Sequence, residues 1–167
     1  MVDPWPTWDE WLRSLDESDR AAALVLRDRL AALGAEDAES WARSEVSEGI
    51  PQQARFLVLR RLWRAAVDTW AAPGALDRLP AAGRLLDAGV DRSDLVRVAR
   101  AVALQAALDV VVAIDEGYDA EAPEDCPGWQ LVETDADENP TGRAVGGLHE
   151  DFLLVDPSGQ EGAELWT

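Results

Sequence analysis

Between Ala101 and Ile114 the only polar side chains are Gln105 and Asp109. Asp91, ahead of this stretch, is a good helix cap, and Asp94 three residues on suits the positive end of a helix dipole. The pattern predicts one long helix over about residues 92–115. It is apolar nearly all round, and such a helix is normally buried. The remaining segments are then needed to surround it. Arg97, Arg100, Gln105 and Asp109 interrupt the apolar run from Leu95 to Ile114, which argues against a membrane span.

The chain supplies several amphipathic partners. Thr7 and Glu10 match a capping box, and Trp8, Trp11, Leu12 and Leu15 follow at helical spacing, so both tryptophans are expected to face inward. Ser18 is read as the cap of a second helix, with Leu26, Leu30 and Leu33 on one face and Gly34 as its left-handed terminator. A third segment, Glu36 to Ser47, places Ala38, Trp41, Ala42 and Glu45 in register before Gly49. Pro51 suits the first turn of a fourth helix reaching about Trp70, with Phe56, Leu59, Trp63 and Val67 on its apolar arc. A short helix is expected over Ala81 to Asp87.

After Asp115 the pattern changes. Residues 115–127 read as an acidic loop, Trp129 to Thr134 as a strand, and 135–142 as a turn-rich connection. Leu148 to Val155 reads as a short helix or strand. The expected fold is mainly α: a bundle of about six helices around a buried helix (about 92–115), with a small β-containing acidic C-terminal segment. A single domain spanning 1–167 is expected, with a helical body at about 7–116 and an appendage at about 117–167, since some 50 residues make a marginal core alone.

Charge is sorted along this plan. Residues 101–167 carry 16 Asp/Glu against the single Arg143, a net −15, whereas residues 51–100 carry nine Arg against five acids. The whole chain stands at −18, and all fifteen of its cationic side chains are Arg, a usage that high-GC bacterial coding would produce. Such a charge repels a polyanion at long range, so Arg55, Arg60, Arg61 and Arg64 do not make a nucleic-acid site, and no direct nucleic-acid binding is expected. One cysteine, Cys126, allows no internal disulfide, and no signal segment opens the chain; both favour the cytoplasm.

Candidate sites are few. Asp119, Glu121, Glu124 and Asp125 could offer oxygen ligands but sit in a stretch that reads as solvated or partner-facing. Asp135, Asp137 and Asn139 imitate a calcium loop until Pro140 replaces the required Gly and Gly146 the required Glu. In Pro140–Glu150, Arg143 and His149 are the odd cations of an acidic region. If Gly146–Gly147 opened a helix, its free N–H groups could meet an anion there. His149–Glu150 lacks the second His of a metalloprotease helix, and no nucleophile elbow or phosphate loop is present. Gln105 and Asp109, four apart on a buried helix, would need a partner, for which Arg60 or Arg61 is the natural candidate.

These readings lead to a non-enzymatic, soluble acidic protein that binds a more basic macromolecule without cofactor or metal. Asp119, Glu121, Glu124, Asp125, Arg143, His149 and Glu150 form the candidate surface, and Arg60, Arg61, Gln105 and Asp109 a candidate buried polar network. The alternative is a small enzyme or anion-binding domain around Arg143 and His149. Trp5 and Trp166, near the chain ends, are large apolar groups whose burial the sequence leaves open.

Overall fold

The computed structural model describes residues 6–166, so Trp5 lies outside the described residues. The fold is mainly α: the described residues form seven α-helices, with short π- and 3₁₀-helical segments and one two-stranded antiparallel sheet. The chain forms two compact units. The first takes the N-terminal part to Phe56 together with Val132–Val145. The second takes Leu57–Leu131 together with the chain from Gly146. The C-terminal third, read from sequence as one appendage, is thus shared between them.

The first unit begins with α1 (Trp8–Ser14), closed by the expected capping box: Thr7 Oγ1 accepts from the Glu10 N–H, and Glu10 Oε2 accepts from the Thr7 N–H. Of its two tryptophans only Trp11 is buried; Trp8 is half-buried, its ring centroid 5.0 Å from that of Trp11. The outer aromatic surface is covered by cations instead, with Arg27 over Trp8 and Arg43 over Trp11. Helix α2 (Glu17–Leu33) is capped by Asp16 rather than Ser18. The earlier start puts Glu17 and Asp19 in the first turn, where the helix dipole favours acids. Gly34 ends it at φ 93°, as read. Helix α3 (Ala38–Glu48) packs on α2, and Trp41 meets Phe56 edge-on at 5.5 Å.

The hairpin of this unit pairs β1 (Val132–Thr134) with β2 (Pro140–Ala144), in register at Val132–Ala144 and Thr134–Pro140 with an irregularity between. The first strand is shorter than expected, and the second lies partly in what reads as a connection. The reason is the turn: Asp135 Oδ1 accepts from the N–H groups of Asp137 and Asn139, both at 2.9 Å, which reverses the chain within five residues.

Helix α4 (Gln52–Leu62) carries the chain into the second unit. The helical run does reach Trp70, but not as one α-helix: it becomes π-helical over Trp63–Val67 and 3₁₀ over Asp68–Ala71. Helices α5 (Pro80–Asp87), α6 (Arg92–Glu116) and α7 (Leu148–Asp151) complete the unit. Its core is Leu59, Trp63, Val67, Leu104, Val111, Leu148 and Phe152, with Trp63 and Phe152 ring to ring at 5.6 Å. Gly162, at φ 75°, closes over it. A Cβ there would lie 2.9 Å from Leu104 Cδ2, so only glycine fits without displacement.

Helix α6 lies where the sequence places it, capped by Asp91, but it is not buried all round. Ala101, Leu104, Ala107 and Val111 form its one buried stripe. Val98, Val102 and Val110 on the other side are 60%, 65% and 52% exposed. The π segment, the 3₁₀ turn after it and α7 all pack on α6 and leave these valines outside. Among the described residues no helix is long and apolar enough to cross a membrane.

Candidate functional site

The acidic loop after α6 is held by its base. Gly117 ends the helix at φ 72°, donating its N–H to Ala113 O. The chain returns to the same turn twelve residues on: Trp129 N donates to Gly117 O at 2.8 Å, and its indole Nε1 donates to Ala113 O at 3.0 Å. The approach is close enough to require glycine at both sides. A Cβ on Gly128 would stand 2.4 Å from Gly117 O, and one on Gly117 2.9 Å from Trp129 O. Inside the loop, Asp119 Oδ1 accepts from the Glu121 N–H at 2.9 Å. Asp119, Glu121, Glu124 and Asp125 are all exposed, and no cation pairs with them among the described residues. Tyr118 and Trp129 flank them, also exposed. No group of three or more His, Cys, Asp or Glu side chains converges as a metal site among the described residues.

Arg143 has a different setting. On β2 it faces Glu133 of β1, donating from Nε to Glu133 Oε2 at 2.8 Å and from Nη2 to Oε1 at 2.6 Å, a bidentate pair. The same Nη2 reaches Glu45 Oε1 of α3 at 3.0 Å. Glu45 is buried, and its other oxygen accepts from the Gln53 N–H at 2.8 Å, satisfying a free donor at the start of α4. Arg143 and then the Thr141 hydroxyl hold the Glu133 carboxyl below the usual range against the opposing effect of burial. Glu133 and Glu45 in turn raise the pKa of Arg143. A charged residue on the apolar face of α3 is the signal that could have pointed to this cluster.

His149 is organised by Asp115. The carboxylate Oδ2 accepts from the His149 backbone N–H at 2.8 Å and lies 2.7 Å from its Nδ1. Burial raises the Asp115 pKa, but the bonds from the backbone N–H and ring of His149 and from the Leu148 N–H outweigh it, and the net shift is downward. Gly147 does cap a short helix, as the anion-site reading supposed. The anion at its N–H groups is the chain's own Asp115. The sequence offers one clue to this: an acid in the last turn of α6 opposes the helix dipole, so its charge must be met elsewhere. Glu150 is exposed beside His149, and Trp166 is also exposed.

The expected buried network does not form. Gln105 and Asp109 lie on the outer side of α6, both exposed, and Gln105 Nε2 simply donates to Asp109 Oδ1 at 2.9 Å. Arg61 is exposed and Arg60 half-buried, and neither pairs with Asp109. The reason is that α6 is buried along one stripe and not on the side that carries these two residues. The part-buried cation of this helix is Arg100, whose Nη2 lies 3.5 Å from Asp68 and 3.3 Å from Glu164. No protein-family model, curated protein or solved structure matches this chain.

Proposed function

We propose that this protein is a non-enzymatic binding protein for a more basic macromolecule, engaged through the carboxylates of the loop after α6. The observation that carries this is the contrast between base and tip of that loop. Its base is clamped at Gly117, Gly128 and Trp129, while Asp119, Glu121, Glu124 and Asp125 stand exposed with no cation paired to them among the described residues. A fixed, uncompensated negative surface attracts a cationic partner, raising its association rate and selectivity. Accessory, adaptor and immunity-type roles share this chemistry, as does the narrower role of a nucleic-acid mimic that occupies a cationic groove. The single exposed thiol, Cys126, fits a reducing compartment, and we place the protein in the cytoplasm on that ground.

The test is affinity capture from the native source, followed by dissociation constants for the captured protein at low and high salt. Binding weakens with salt, and D119N/E121Q/E124Q/D125N flattens that dependence. Affinity indifferent to ionic strength, and to the four substitutions, would overturn the proposal.

A second reading, a small enzyme or anion-binding domain, has one observation in its favour. Asp115 fixes the ring of His149 through Nδ1 while the side chain stays 47% exposed. Against it, the charge of Arg143 already faces two carboxylates, with Nε and Nη2 committed to Glu133 and Glu45. Retention of partner binding by a folded His149→Ala variant supports the first reading; its loss, together with that of an identified activity, supports the second.

A further inference from the structure

The outward face of α6 carries Val98, Val102, Ala106, Val110 and Ala113, spaced four, four, four and three residues apart. At about 1.5 Å per residue this apolar stripe runs roughly 22 Å along the helix. Three exposed valines along one inclined ridge are costly on a helix surface, because β-branched residues are poor helix formers and gain nothing in water. At the far end stands Trp129, 48% exposed, its indole bonded to the carbonyl of Ala113. One edge of the stripe is acidic: Asp109 and Glu116 are exposed and pair with no cation among the described residues. Beyond Glu116 the chain passes directly into the loop of Asp119, Glu121, Glu124 and Asp125.

We infer that this face is the docking track for a cationic amphipathic helix of the partner. Its apolar side lies on the valine stripe and Trp129, and its Lys or Arg side chains meet Asp109, Glu116 and the loop. The inference rests on the proposed binding of a basic partner and adds the partner's form. Charge selects this occupant over two others. A second copy, related by a two-fold across α6, would bring each acidic edge against its own equivalent, in two chains of −18 each. A lipid surface wants Lys and Arg beside the apolar stripe, and here the border is carboxylate. An amphipathic helix with a basic polar face complements both the stripe and its border.

The probes are two synthetic peptides of identical Leu/Lys composition, one with helical periodicity and one scrambled, titrated against the full chain. The amphipathic peptide should bind at least about tenfold more tightly, a difference of roughly 1.4 kcal/mol. V98Q/V102Q/V110Q, which changes no charge, should abolish the preference while leaving the salt dependence. D119N/E121Q/E124Q/D125N should do the reverse. If both peptides bind equally, with salt dependence intact and the glutamine variant silent, the docking track is wrong while the acidic loop remains the binding surface. If salt and the loop substitutions have no effect either, the underlying reading fails as well. Sedimentation of the wild type as a dimer that V98Q/V102Q/V110Q dissolves, or flotation with phosphatidylglycerol vesicles, would give the face to a second copy or to lipid and overturn the inference.

Discussion

Arg143 joins carboxylates from 98 and 10 residues away, and the sequence separation explains what each bond does. The bond to Glu133 locks the rungs of a short hairpin. The bond to Glu45 ties that hairpin to α3 within the first unit. Replacing Arg143 with Met leaves two carboxylates facing one another without their cation. With charged hydrogen bonds contributing more than neutral ones, and with partial solvent access discounting them, the expected loss is about 1–2 kcal/mol in urea unfolding. Glu45→Gln should cost less, since an amide oxygen can still accept from the Gln53 N–H. The acid response follows from the same atoms. Glu133 and Asp115 titrate below their ordinary values in the folded chain, so the unfolded chain takes up their protons first. Their stabilisation is complete above the ordinary carboxylate range, about pH 5, and is lost as pH falls through the lowered folded values. E133Q and D115N should each show a shallower decline of the urea midpoint below about pH 5 than the wild type. An unchanged slope in both would mean that other carboxylates carry the acid response.

Elements were legible where a local rule decides them and not where a neighbour does. The capping box of α1, the glycine ends of α2 and α3, and the Asp91 cap of α6 are written within four residues of where they act. Strand β2 is not, because Pro140–Thr141–Gly142 carries no strand signal until Asp135 turns the chain and Glu133 offers Arg143 a partner. The exposure of the outward face of α6 is hidden from the sequence for a related reason. Periodicity reveals an apolar face but not whether anything covers it. The π segment at Trp63–Val67 is likewise set by packing, as Trp63 is fully buried against Phe152. The acidic loop is visible as composition, yet the closure of its base depends on two glycines whose role is steric. Gly128→Ala places a methyl within reach of Gly117 O and should break the bond from the Trp129 N–H. Cleavage by a Glu-specific protease at Glu121 and Glu124 is expected to accelerate by about tenfold as the clamp opens, while α6 stays folded by far-ultraviolet dichroism. Equal cleavage rates would mean that the loop is held by something other than its base.

At the scale of the molecule, the sorted charge remains largely unneutralised. Among the described residues Arg143 is bound to Glu133 and Glu45, and Arg100 pairs with Asp68 and Glu164; Arg27–Asp28, Arg92–Asp77 and Arg97–Asp94 are further pairs, at the surface. Exposed pairs of that kind contribute little and are screened first. The balance between these few attractions and the self-repulsion of a chain at −18 sets how stability responds to salt. Raising NaCl from roughly 50 to roughly 500 mM shortens the screening length from about 14 to about 4 Å, which removes most repulsion between exposed carboxylates while touching the Arg143 cluster least. The thermal midpoint should therefore rise, by about 3–6 °C for a chain of this size. Salt thus moves two properties in opposite directions: it strengthens the fold and weakens the capture of a basic partner. A fall in the midpoint over the same range would show that attraction between surface charges outweighs repulsion, and that the carboxylates after Asp115 are better compensated than the ion pairs among the described residues allow.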